Sequence, residues 1–196
     1  KASMGLEYFL FKTGPLTMPP SQLGAFAKSD PQQKTANIEW HVQPLSLEKF
    51  GDPLHTFNAI TPSVCNLRPT SRGNVQIKSS DPMDYPAIRL NYLSTIADEK
   101  VAVAGLRLTR KIMSAKALQE FNPQEWKPGL EIQSEEQLLE SARDLGTTIF
   151  HPVGTCKMGN DKLAVVNDRL QVHGVKSLRV IDASIMPQIT SGNTNA

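Results

Sequence analysis

The side chains through which this chain could do chemistry are four histidines, two cysteines and scattered carboxylates and amides. His151 stands out by position. It follows the β-like run 147–150 and precedes Pro152 and Gly154, so it is predicted at a strand end with a constrained exit. A side chain so placed faces a ligand from a rigid support, and an imidazole there can accept a proton near neutral pH. A histidine that only caps a turn fits the same position. Asp182 closes the run 178–182, predicted as a short buried-type strand, and is followed by the small Ala183. Its carboxylate suits either a sugar-like hydroxyl or the cap of the next turn. Asn193 and Asn195 stand in the polar end Ser191-Gly192-Asn193-Thr194-Asn195-Ala196. Their amides suit a ligand, and turn chemistry explains them equally well.

The other histidines read as solvated or locally hydrogen-bonded: His41 on the polar side of a strand, His55 and His173 beside turns. No pair among the four His and two Cys has zinc-ligand spacing, so no metal is expected. Cys65 and Cys156 are too few for a disulfide framework and read as reduced thiols. There is no GxxxxGK[ST], GxGxxG or GxSxG.

These candidates need elements to hold them. Segment 1–36 reads as loop-rich, with Gly14-Pro15 and Met18-Pro19-Pro20 barring a long regular element. Segment 37–42 alternates, with Ile38, Trp40 and Val42 on one side and Glu39 and His41 on the other: a half-buried strand. Further strands are predicted at 59–67, 75–78 and 88–92, giving an antiparallel sheet with one wet face. A helix starts after Thr95, with Asp98 as capping-box partner, and runs to about 117–121. A second starts at Ser134 with Gln137 as partner and stops at Gly146. The fold class is α+β, an antiparallel sheet flanked by helices.

Lys plus Arg number 21 against 19 for Asp plus Glu, a net charge of +2, which argues against nucleic acid as partner. No apolar run is long enough to cross a bilayer. The chain opens without Met and stops on a polar loop, so truncation at both ends is expected.

The string His151-Pro152-Val153-Gly154-Thr155-Cys156-Lys157-Met158-Gly159 resembles the active-site signature of the glucose–methanol–choline (GMC) oxidoreductases. The resemblance continues in order through Val166-Asn167-Asp168-Arg169-Leu170-Gln171-Val172-His173-Gly174-Val175 and Leu178-Arg179-Val180-Ile181-Asp182-Ala183-Ser184-Ile185-Met186-Pro187 to the final Ser191–Ala196 stretch. Upstream, Arg68-Pro69-Thr70-Ser71-Arg72-Gly73, Asp81-Pro82 and Asn91-Tyr92-Leu93 look like the family's substrate domain, with a choline-dehydrogenase-like flavour.

The resemblance implies an FAD-dependent oxidation of a primary alcohol, choline among the candidates, to the aldehyde. It implies His151 as proton acceptor and Asn193 as the second active-site residue, with Asp182, Ala183 and Asn195 meeting the FAD. Residues 1–149 would be the substrate-binding domain, and 150–196 a segment that belongs to the FAD domain. The glycine-rich FAD-binding unit is absent here, so FAD is expected in the longer parent and not on this chain alone. The missing FAD-domain part of the same polypeptide is then the first partner, and the isolated chain is expected to be inactive. Dioxygen or a quinone fits as electron acceptor, the latter with a peripheral membrane association; cytoplasm or the periphery of the inner membrane is the expected location. Trp40, Trp126, Tyr85 and Tyr92 are the aromatic faces available to a quaternary ammonium. Two alternatives stand beside this reading: lyase-type chemistry with a structural FAD, and a non-catalytic substrate-domain module.

Overall fold

A computed structural model describes residues 2–49 and 51–195; Lys1 and Ala196, at the two ends considered above, lie outside the described residues, as does Phe50. Three strands form an antiparallel meander: β1 (Leu23–Ala27), β2 (Ile38–Gln43) and β3 (Thr61–Asn66), in the order β1-β2-β3. The register sets Trp40 between Ala25 and Val64, and Glu39 between Phe26 and Cys65. Alternation then turns Trp40 and Val64 to one face and Glu39, His41 and Cys65 to the other. Ile38 and Trp40 are buried as their pattern predicts. Glu39, expected on a wet face, is only 7% exposed. Its cross-strand partners Phe26 and Cys65 stand on the same face on either side of it and cover its carboxylate stem.

Helix α2 (Ile96–Met113) covers the Trp40 face. The Trp40 indole N–H donates to Thr109 Oγ1 at 2.7 Å, and that hydroxyl donates to the Gly105 carbonyl at 2.8 Å. The polar edge of a buried indole is thereby satisfied within the interface. Gly105 lets the helix approach: a Cβ there would lie 3.1 and 3.2 Å from the two methyls of Val64. Gly105→Leu is expected to lower stability by about 1–3 kcal/mol through overpacking. Gly105→Ala should be near neutral, because helix propensity improves by about 1 kcal/mol while the Val64 contact tightens. Denaturant titration of both variants checks this; a Leu variant as stable as the parent contradicts it.

The start of α2 departs from a capping box. Thr95 Oγ1 accepts from the Asp98 N–H at 3.3 Å, but the Asp98 carboxylate does not reciprocate. It accepts from the Thr70 and Ser71 N–H groups, each at 2.8 Å, from Thr70 Oγ1 at 3.0 Å and from Asn66 Nδ2 at 3.2 Å. Burial pushes this carboxyl up, and the bonds from Ser71 and Thr70 outweigh burial and hold it below the usual carboxylate range. The α-helix ends at Met113 rather than near 117–121, and a 3₁₀ turn (Lys116–Phe121) follows. α3 (Glu135–Leu145) carries the complete Ser134–Gln137 capping box and stops at Gly146, as its sequence predicts.

A separate ribbon pairs β4 (Asn74–Gln76) with β5 (Ala87–Arg89). The expected strand 88–92 ends early because Asn91 and Leu93 take positive φ, 55° and 51°. Gly73 enters this ribbon where a Cβ would stand 2.1 Å from the Arg89 carbonyl oxygen, so only glycine fits.

The loop-rich segment 1–36 holds two regular elements that its sequence did not announce: α1 (Ala2–Phe11) precedes the Gly-Pro punctuation and β1 follows it. Segments 147–150 and 178–182 are not strands. Phe150 has φ 64°, which breaks extension, and Arg179 makes only an isolated bridge with Gln171. The chain is α+β, with antiparallel sheets and flanking helices. Among the described residues no helix is long and apolar enough to cross a membrane.

Candidate functional site

His151 sits in a loop rather than at a strand end, half-buried just after the left-handed Phe150. The turn before it is fixed locally: the Phe150 N–H donates to Thr148 Oγ1, which also accepts from the Tyr92 hydroxyl, both at 3.0 Å. His151 Nδ1 lies 2.8 Å from Thr194 Oγ1. With the proton on Nδ1, Thr194 accepts it, and Nε2 keeps the lone pair that a base needs. Thr194 is 43 positions away in sequence. No local pattern announces that pairing, and sequence reasoning missed it.

Asp182 forms the cap that its bland reading predicts. It precedes a 3₁₀ turn (Ala183–Ile185) and accepts from the Ser184 N–H at 2.8 Å and from the Ser184 hydroxyl. The Ser184 hydroxyl and then its N–H hold the Asp182 carboxyl below its ordinary range. Backbone bonds tie this turn to the segment after His151: the Cys156 N–H donates to the Ser184 carbonyl at 3.0 Å and the Met158 N–H to the Ile185 carbonyl at 2.7 Å. The structure thus brings the turn bearing Asp182 and Ala183 against the His151 loop. Asn193 and Asn195 are exposed on the turn that carries Thr194.

The aromatic candidates do not converge. Trp40 is packed under α2 and Tyr85 is 86% exposed. Trp126 instead joins His55 and Phe57, with centroid separations of 6.3 Å and 5.3 Å. His55 is locally bonded, as expected, to Ser46 Oγ at 3.0 Å and Glu48 at 3.2 Å; Glu48 also pairs with Lys127. His173 Nε2 lies 3.0 Å from the Gly159 carbonyl. His41 corrects its expectation: its Nε2 is buried and makes no hydrogen bond, with Glu39 Oε1 at 3.4 Å. Cys65 stands beside them, its thiol pushed up to about 11 by burial and by the charge of Glu39. Strand register gathers these three; spacing along the chain does not reveal them.

His151 and Asn193 line one broad open cleft of about 3190 Å³. That exceeds the roughly 300–1,000 Å³ of a small-molecule site, so these residues form one wall rather than a closed pocket. The chemistry available on that wall is a held imidazole beside amides that both donate and accept.

The GMC oxidoreductase family model matches residues 69–196. An alcohol dehydrogenase [acceptor] of Pseudomonas putida is 40% identical over 194 residues, covering 98% of this chain and 35% of that protein. An oxygen-dependent choline dehydrogenase of Proteus mirabilis is 40% identical over 193 residues, again 98% of this chain and 35% of the relative. The crystal structure of pyridoxine 4-oxidase from Mesorbium loti superposes with a TM-score of 0.80 at 28% identity, over 89% of this chain and 35% of that one. The chain therefore spans about a third of the length of the curated relatives it matches.

Proposed function

This chain belongs to the GMC oxidoreductase family, and from that membership we propose that it is the substrate-side part of an FAD-dependent enzyme that oxidises a primary alcohol to the aldehyde. The observation that carries the reading is His151: an imidazole on the wall of the cleft, held at Nδ1 by Thr194, with Nε2 left to accept a proton. Choline is a candidate substrate because relatives at 40% identity are named choline dehydrogenases; the alcohol dehydrogenase of similar identity keeps other primary alcohols open.

The residues fit a flavin by the chemistry of their donor set. Asn193 and Asn195 present exposed amides, each donor and acceptor, to match the mixed polar edge of a flavin ring. The Asp182–Ala183 turn is small and is held against the His151 loop by backbone bonds. We assign Asp182, Ala183 and Asn195 to the cofactor, which when bound supplies the hydride acceptor. His151 Nε2 takes the hydroxyl proton of the substrate, and Asn193 hydrogen-bonds the same oxygen and orients it. Thr194 keeps the imidazole in the tautomer and direction this needs. Segment 150–196 is assigned to the FAD domain, and 1–149 to the substrate-binding domain. Exposed apolar side chains on α1, Leu6, Phe9, Leu10 and Phe11, support a larger protein in which that surface is covered.

The test uses the complete protein. Its flavin absorbance is recorded anaerobically before and after a panel of primary alcohols that includes choline. Bleaching by at least one alcohol, with the aldehyde recovered, is the expected result, and the 196-residue chain alone should be inactive. A flavin-loaded protein that no alcohol reduces overturns the reading.

A further inference from the structure

Glu39 and His41 are two residues apart on β2, so the pleat puts both on the face turned away from α2. Cys65 on β3 is the register partner of Glu39. A Glu39 carboxylate oxygen, a His41 ring nitrogen and the Cys65 sulfur all lie within 4.8 Å of one another. Tetrahedral zinc, with bonds of about 2.0–2.3 Å, sets neighbouring donors roughly 3.3–3.8 Å apart, so small side-chain rotations bring the three onto one ion. We propose that Glu39, His41 and Cys65 form a three-ligand site for a zinc-type divalent cation.

Five observations support it. The His41 Nε2 is a buried polar atom without a hydrogen bond, its contact with Glu39 Oε1 at 3.4 Å being an ion-pair distance without hydrogen-bond geometry, and native interiors rarely leave such an atom so. A metal bond satisfies it directly. The donor set of one thiolate, one imidazole and one carboxylate is the mixture that a borderline-soft ion accepts and that magnesium or calcium does not. Charge closes: thiolate plus carboxylate balance a divalent cation, which neutralises a Glu39 side chain only 9% exposed. The supports are adjacent paired strands rather than loops, which holds the donors in place. His41 and Cys65 also border the open cleft, so an ion has an entry path and a fourth position for water or another ligand. Binding releases the Cys65 proton to solvent.

The test is made on the complete protein, stripped with a chelator, equilibrated with zinc chloride and dialysed. Elemental analysis should give about one zinc per chain. Zinc-edge X-ray absorption, which flavin does not obscure, should show one sulfur scatterer at about 2.3 Å among nitrogen and oxygen at about 2.0–2.1 Å. Cys65→Ser should lose the sulfur signal. Because disturbing even the partners of metal ligands costs roughly 10–100-fold in affinity, Cys65→Ser and Glu39→Gln should each weaken binding about a hundredfold. Cys156→Ser should change neither readout. Should a variant fail to fold, the parent protein still decides: zinc should protect Cys65, and not Cys156, from alkylation, and the chelator should reverse it. Zinc near background, zinc without sulfur, or sulfur that survives Cys65→Ser overturns the proposal and leaves Glu39 and His41 as an ion pair.

Discussion

His151→Ala in the complete protein is expected to retain its flavin and to lose alcohol-driven bleaching, the rate falling by about 10²–10⁴-fold. That range is what a positioned general base contributes. The variant leaves the Asp182–Ala183 turn and its backbone ties intact, so cofactor content should not change. His151→Gln sharpens the test, because it preserves a hydrogen-bonding group and removes the basic nitrogen; it should be nearly as slow as Ala. Thr194→Val should fall between. Losing a neutral hydrogen bond of about 1–1.5 kcal/mol corresponds to about tenfold in rate, with substrate affinity little changed, since Thr194 acts through the imidazole. A His151→Ala enzyme with parental rate removes the proposed proton acceptor, whatever the flavin content.

Asp98→Ala is expected to cost about 3–4 kcal/mol, and Asp98→Asn about 2 kcal/mol. The carboxylate collects four hydrogen bonds from Asn66, Thr70 and Ser71 at the mouth of α2. Bonds to a charged group are worth about 1.5–3 kcal/mol singly, and shared acceptors do not add in full. Ala leaves the Thr70 and Ser71 N–H groups without their partner, whereas Asn keeps one accepting oxygen. The pH dependence has a definite sign. A carboxyl held below its unfolded value of about 3.9 stabilises the fold above that pH, and its contribution disappears as pH falls through the lower folded value. Parental stability should therefore drop on acidification below about pH 4, and Asp98→Asn should flatten that limb. Denaturant midpoints of parent and variants across the acid range measure both effects, and an Asn variant with an unchanged acid limb refutes the assignment.

Periodicity and capping made much of the frame legible. β2 and β3 lie where alternation places them, and the Ser134–Gln137 box and Gly146 bound α3 correctly, because those signals are local. α1 and β1 were hidden by nearby prolines that break only the residues beside them. The runs 147–150 and 178–182 misled because a four- or five-residue stretch with two or three apolar side chains looks extended until the tertiary fold sets a positive φ at Phe150 or leaves Arg179 with a lone bridge. The same division applies to the candidate site. His151, Asp182 and Asn193 could be singled out by type and flanking residues. Thr194 beside His151, and Cys65 beside Glu39 and His41, depend on contacts and register that no stretch of sequence encodes locally.

The loop architecture of 147–195 also sets where the molecule breathes. The meander joins consecutive strands and is backed by α2, so its amides should open only in near-global unfolding, whereas the C-terminal stretch has three isolated bridges and turn bonds in place of a ladder. Such regions open at a small fraction of the global free energy. The imidazole proposed to move the proton is therefore carried on a part of this chain whose amides exchange with solvent sooner than those of the meander, and its geometry is as persistent as the loop closure that joins His151 to Thr194.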